Sequence, residues 1–184
     1  MNPEFWNSFY SGTAVPDIPS AFAEYVQPLL QPNDRIMELG CGNGRDSIYF
    51  AGQGHRVYAL DQVKAPHFPQ HPLMTFIQQD INDLMENTMP SYDIVYARFL
   101  FHAIPAQTTK HLLKHIKGRL FAEFRAEGDK PVLYPDHERI FWKHDDFEAL
   151  LDECGFRIIT FNVGRGRAVY KEEDPLLFRL EAVK

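Results

Sequence analysis

The stretch RIMELGCGNGRD, residues 35–46, decides how the rest of the chain is read. An apolar run meets an acid, Glu38. Glycines then fall on alternate positions, 40, 42 and 44, and Arg45 and Asp46 follow. A strand that turns through glycines into a helix sets backbone N–H groups and a helix N-terminus against a ligand. Dinucleotide sites use G-x-G-x-x-G; Gly40 and Gly42 fit its first two positions, but Arg45 stands where the third glycine packs helix on strand. Glu38 would repel a pyrophosphate and attract a cation.

Outward from this stretch, short apolar runs alternate with amphipathic segments, as βαβ units do. Residues 19–30 read as a helix with Ser20 as N-cap, and 35–39 as the first strand. A helix over 45–54 is closed by Gly52 and Gly54, and 56–61 is the second strand. Three prolines in 65–72 leave little room for helix in the next crossover. Strands follow at 74–80, 92–98 and 119–125, with a short helix or loop at 81–87 and a helix over 106–118 ended by Gly118. After a polar loop, 126–144, comes a helix over 145–155 with Asp145 as cap and Gly155 as stop. The last strands, 156–163 and 175–183, have no crossover helix between them and are expected to be antiparallel.

The chain has 184 residues, which suits one domain, and its 15 Phe and 8 Tyr can fill a core. No apolar run approaches the ~20 residues that span a bilayer, and the N-terminus lacks the pattern of a secretory signal. The expectation is a cytoplasmic protein with no membrane partner. Cys41 and Cys154 are too few for a disulfide framework and lack metal-ligand spacing, so no metal is expected. Residues 1–97 carry 4 Lys/Arg against 11 Asp/Glu, while 98–139 carry 8 against 5. No basic stripe points to nucleic acid, but the middle of the chain suits an anionic partner.

Glu38 through Gly44 resembles motif I, [DE]-x-G-x-G-x-G, of class I S-adenosylmethionine-dependent methyltransferases. The resemblance covers nearly the whole chain. It implies an α/β, Rossmann-like, seven-stranded, mostly parallel sheet with a C-terminal antiparallel hairpin and helices on both faces. The sulfonium and ammonium of S-adenosylmethionine, which carries no phosphate, also suit Glu38. By the same resemblance the cofactor set is Glu38 toward the methionine ammonium, the turn Gly40, Cys41, Gly42, Asn43 and Gly44, and Arg45 at the methionine end. Asp61, with Gln62 beside it, takes the ribose hydroxyls, Asp80 and Ile81 meet the adenine, and Ala97 and Arg98 lie along the methionine. Residues 1–18 would form a lid within the single 1–184 domain, with Trp6 and Tyr10 closing over the cofactor.

The acceptor pocket is expected at the carboxyl edge of strands four and five. Its candidates are His102, Glu123 and His137 as catalytic groups, with Arg98, Arg125, Tyr134 and Arg139 for the substrate. Glu123 and Arg125 alternate with Phe124, so they share a face and either pair or meet the pocket's contents. Further similarity, to small bacterial methyltransferases of surface-polysaccharide pathways and to compact tellurite- and thiopurine-type enzymes, implies a small polar acceptor such as a phosphorylated or carboxylated sugar. Two alternatives stand beside this: an NAD(P)-dependent oxidoreductase, and a catalytically inactive subunit that binds S-adenosylmethionine as an interaction partner.

Overall fold

The structure, a computed structural model, describes residues 3–12, 16–84, 90–129 and 139–184. Seven strands form one sheet: β1 Arg35–Leu39, β2 Arg56–Asp61, β3 Met74–Gln78, β4 Ile94–Arg98, β5 Arg119–Arg125, β6 Arg157–Gly164 and β7 Leu177–Val183. Their order is β3-β2-β1-β4-β5-β7-β6. The first five pair in parallel, and β7 inserts antiparallel between β5 and β6. The expected terminal hairpin is therefore present. The strand order reverses between β1 and β4, the place in an open α/β sheet where a crevice opens at the carboxyl ends of the strands.

Helices cover both faces, and each helix side has its own core. On one side Phe22, Val26 and Phe50, from helices α2 (Ala21–Val26) and α3 (Arg45–Gly52), pack on Ile36, Tyr96 and Phe121. On the other side Leu112, Leu113, Phe147 and Leu151, from α4 (Ala106–His115) and α5 (His144–Glu153), pack on Val95, Ala97, Leu120 and Phe124. Central strands covered on both faces need apolar residues throughout, which is why 35–39 and 94–98 read as runs rather than alternations. Each large side chain withdrawn from water contributes roughly 1.5–3 kcal/mol.

Ser20 caps α2 as its sequence implies, accepting from the Ala23 N–H at 3.1 Å. Elsewhere the helix ends differ from the sequence reading. Asp145 is not the cap of α5: the helix begins one residue earlier behind Lys143, leaving Asp145 and Asp146 in the first turn. Two carboxylates there still favour the helix, because they face the positive end of its dipole. Helix α4 stops at His115, not at Gly118, whose left-handed backbone (φ 78°) leads into β5. The N-terminal segment is helical, α1 Pro3–Gly12. No helix among the described residues is long and apolar enough to cross a membrane.

Candidate active site

The glycine turn is held by backbone geometry that side chains oppose. Gly40, Gly42 and Gly44 have φ of 72°, 57° and 77°, the left-handed region that costs other residues about 1–2 kcal/mol. The N–H groups of Gly40 and Cys41 both donate to Leu60 O, at 2.9 and 3.0 Å, so β2 pins the turn. A Cβ on Gly42 would stand 2.5 Å from the Tyr10 hydroxyl, and one on Gly44 would stand 2.7 Å from the Phe68 ring.

Beneath the turn lies a group of buried carboxylates. Glu38 accepts a short hydrogen bond from the Ser47 hydroxyl. Burial, reinforced by Asp46, pushes its carboxyl well above the usual range. Asp61 accepts from the N–H groups of Gly42 (2.9 Å) and Val63 (3.1 Å), yet burial still raises it. Asp46 has a bracing role: it accepts from Ser20 N and Oγ, both at 2.7 Å, and from the Tyr96 hydroxyl at 2.8 Å, tying α2, α3 and β4 together. Tyr10 reaches over the turn from α1. Burial, with Asp61 next, raises its phenol far above the ordinary value, so it stays protonated.

A cavity of ≈ 1530 Å³ opens above this floor. Phe5, Trp6, Phe9 and Tyr10 of α1 form one wall, and Arg98, Phe99, His102, Arg125 and Arg139 form another. The connection between β6 and β7, residues 165–175, closes the far side. Two ion-pair systems stiffen the acceptor wall. The first follows the sheet register, Arg98 opposite Glu123 opposite Arg179. Glu123 is fully buried between those two guanidiniums, at 3.2 Å from Arg98 Nε and 2.6 Å from Arg179 Nη2. The second is centred on Arg125, which donates to Asp129 at 2.6 Å and to Glu173; Asp129 also accepts from Arg165 and from Leu176 N. Those bonds clamp the β6–β7 connection onto β5. Arg167 donates instead to backbone carbonyls, Asn162 O at 3.1 Å and Leu177 O at 3.3 Å.

Phe99 follows β4 with φ 58°, where a bulky residue is strained. Its N–H donates to Glu123 O at 2.7 Å, the Arg98 guanidinium lies 4.2 Å over its ring, and His102 meets it edge to face at 5.5 Å. His102 is buried, and its Nδ1 accepts from the Arg125 N–H at 3.3 Å.

A model of the methyltransferase domain family matches residues 13–160. The chain belongs to that family. It is an S-adenosylmethionine-dependent methyltransferase of class I, which removes the nicotinamide alternative. No curated protein matches it in sequence. Among solved structures it is similar to Burkholderia thailandensis 1,6-didemethyltoxoflavin-N1-methyltransferase with bound 1,6-didemethyltoxoflavin and S-adenosylhomocysteine, at TM-score 0.76 and 20% identity over 99% of this chain and 86% of that one. It also resembles a TehB-like methyltransferase from Corynebacterium glutamicum, at 0.67 and 16%, covering 99% and 95%. Magnesium protoporphyrin IX methyltransferase of Synechocystis with bound S-adenosylhomocysteine follows at 0.66 and 20%, covering 98% and 93%.

The methyltransferase gathers most of the residues singled out from its sequence around this cavity: Trp6, Tyr10, Glu38, Gly40, Cys41, Gly42, Asn43, Arg45, Asp61, Gln62, Ile81, Arg98, His102, Arg125 and Arg139. Four others do not line it. Gly44 faces Phe68, Ala97 is buried in β4, and Glu123 is enclosed by its arginines. Asp80 caps the short turn Ile81–Asp83, accepting from Asn82 N at 2.8 Å, and Gln79 and Ile81 reach the cavity beside it. Glu123 and Arg125 do share a face, but they do not pair: each has nearer partners across the sheet or in the β6–β7 connection. Tyr134 and His137 lie outside the described residues. The wall formed by residues 165–175 has no hydrophobic period and no motif to mark it. Only the concentration of charge in GRGR and KEED hints at it.

Proposed function

We propose that this methyltransferase transfers a methyl group to a small acceptor bearing an anionic group, such as a phosphorylated or carboxylated sugar. The observation behind this reading is the division of charge within the cavity. Glu38 and Asp61 lie at the glycine turn, whereas Arg139, Arg165 and Arg167 line the cavity elsewhere, beside Asp129 and Glu173, which Arg125 already engages. A sulfonium nucleoside suits the first and an anion suits the second. The two similar enzymes whose acceptors are named, toxoflavin-type and porphyrin-type, act on small molecules.

The residues at the turn fit the cofactor. Left-handed glycines let it approach the backbone closely, and buried carboxylates of raised pKa gain when a cationic partner arrives. In this reading Glu38 takes the ammonium, Asp61 takes the ribose hydroxyls, and Gln79 and Ile81 flank the adenine. Arg45 and Arg98 meet the methionine carboxylate. Helix α1 acts as the lid, with Tyr10 over Gly42 and Trp6 beside it, excluding water from the transfer. When bound, S-adenosylmethionine supplies an electrophilic methyl with a neutral leaving group, so the protein chiefly aligns the acceptor in line with the bond that breaks. Two free, buried thiols, Cys41 and Cys154, accord with a cytoplasmic setting.

Calorimetry tests the division directly. S-Adenosylhomocysteine should bind the wild type, and Asp61→Ala should weaken it at least tenfold. Arg139→Ala and Arg167→Ala should leave it within twofold while raising acceptor KM. An unchanged KM in both arginine variants would remove the anion from this account.

A further inference from the structure

Two glutamines stand at the corner of the cavity where β2 and β3 end. Gln62 follows Asp61 and Gln79 follows Gln78, and both line the cavity. The strand ends are tied together: Gln79 N donates to Asp61 O at 3.0 Å, and Gln78 Nε2 donates to Gln62 O at 3.3 Å. Gln79 Nε2 donates to Asp83 O at 3.0 Å, which fixes the sense of that amide and leaves its oxygen as the prong not used there. Gln62 Oε1 is enclosed and accepts a hydrogen bond from none of the described residues. A carbonyl oxygen in that state bears its desolvation cost in full, and a donor brought by a ligand would relieve it. The acid that the resemblance places at the adenine is engaged in a cap instead. Asp80 Oδ1 accepts from Asn82 N and Nδ2, both at 2.8 Å, and Thr108 of α4 donates to Asn82 Oδ1 at 2.8 Å, so the cap is anchored to the helix.

We infer that the side-chain oxygens of Gln62 and Gln79, and not the Asp80 carboxylate, receive the amino group of the cofactor's adenine. An amino group on a purine is a double donor whose lone pair is drawn into the ring, so it calls for two acceptors. The inference rests on the cofactor reading above and goes beyond it by naming the groups that tell adenine from other purines. The two glutamines divide the work. Gln79 cannot reverse its amide without setting its oxygen against Asp83 O, so it excludes a purine with oxygen at the same position. Gln62, after a short turn about its own side-chain bonds, reaches the second N–H and adds affinity. It has no such tether, and its amide can reverse to suit either purine.

Calorimetry compares S-adenosylhomocysteine with S-inosylhomocysteine, whose purine carries oxygen in place of the amino group. Wild type should prefer the adenosyl compound by about tenfold or more, because two acceptors forced together cost more than a hydrogen bond left unmade. Gln79→Met should bring the two affinities within about threefold of each other, whereas Gln62→Met should weaken S-adenosylhomocysteine by about threefold or more and keep the preference. Asp80→Ser, too short to reach the base but still able to cap the turn, should match wild type within about twofold for both compounds. A wild type that binds the two alike overturns the inference, as does a preference that survives Gln79→Met and is lost in Asp80→Ser. A second arm needs no variant. The purine riboside analogue, with hydrogen in place of the amino group, should bind wild type about threefold or more weaker than S-adenosylhomocysteine; equal affinity overturns the inference. Failure of wild type to bind any of the three compounds would strike at the cofactor assignment itself, and the inference would fall with it.

Discussion

Glu123→Gln separates a structural carboxylate from a catalytic one. The residue is fully buried, and its carboxylate joins Arg98 and Arg179, whose side chains are only 15% and 17% exposed. Neutralising it leaves two guanidiniums facing each other across β5 with little water to screen them. Breaking a buried pair from one side costs about 3–5 kcal/mol. In a chain of this size each kcal/mol moves Tm by about 2–4 °C, so the variant should melt roughly 6–20 °C below the wild type. Two further consequences follow. High salt should restore little, because the pair is shielded from solvent. Replacing all three residues, with Arg98→Met, Glu123→Leu and Arg179→Met, should recover much of the lost stability, because no charge remains buried. Calorimetric melts of the three proteins, supported by urea titrations with unchanged slope, provide the measurement. A Glu123→Gln protein that melts within 2 °C of wild type but has lost turnover would refute the reasoning and return Glu123 to the role of base.

Glu38→Gln should stabilise the free protein and weaken cofactor binding. Burial raises the folded pKa of Glu38, so its contribution is fully present below the ordinary glutamate range and is lost as pH rises through the folded value. At pH 7 the variant should therefore melt higher, by about 2–4 °C if about 1 kcal/mol is relieved, yet gain less on adding S-adenosylhomocysteine; a lower melting point contradicts this. Gly42→Ala must bring its Cβ against the Tyr10 hydroxyl at φ 57°, so affinity for S-adenosylhomocysteine should fall more than tenfold while the circular dichroism of the sheet is kept. At Phe99, Asn tolerates the left-handed backbone and a β-branched residue does not. Phe99→Asn should thus be about 1–2 kcal/mol more stable than Phe99→Val in urea unfolding, the reverse of the order set by apolar burial.

Much of this molecule was legible because its signals are local. Strands β1, β2 and β5 begin and end where the sequence reading put them. Motif I located the cavity floor because glycine holds that backbone without strain. The parts that escaped depend on partners distant in sequence. A one-strand reading places Glu123 and Arg125 on the same face, but only the register Arg98–Glu123–Arg179 reveals which charges meet. Arg125 bonds to Glu173, 48 residues away, and so makes a wall of a segment that looks like a plain connector. In α1 the aromatics Phe5, Trp6, Phe9 and Tyr10 are spaced to share one helix face, a pattern read from sequence as a lid but not as a helix.

The arrangement of charge also bears on orientation. A zwitterionic methionine end placed between Glu38 and the Arg45–Arg98 pair has one favourable direction, ammonium to the carboxylate and carboxylate to the guanidiniums. Reversing it would set like charges together in a cavity that screens them poorly. The carboxylates that would fix this direction, Glu38 on β1 and Asp61 on β2, are buried beneath a turn pinned by Leu60 O. The cations that would select the acceptor lie on strand ends and on the β6–β7 connection. A rigid floor can thus keep one cofactor pose while the loops vary, and the clamp from Arg125 to Asp129 and Glu173 couples the two. A variant that loosens the clamp should change acceptor KM before it changes affinity for S-adenosylhomocysteine, because the turn and its carboxylates make no bond to it.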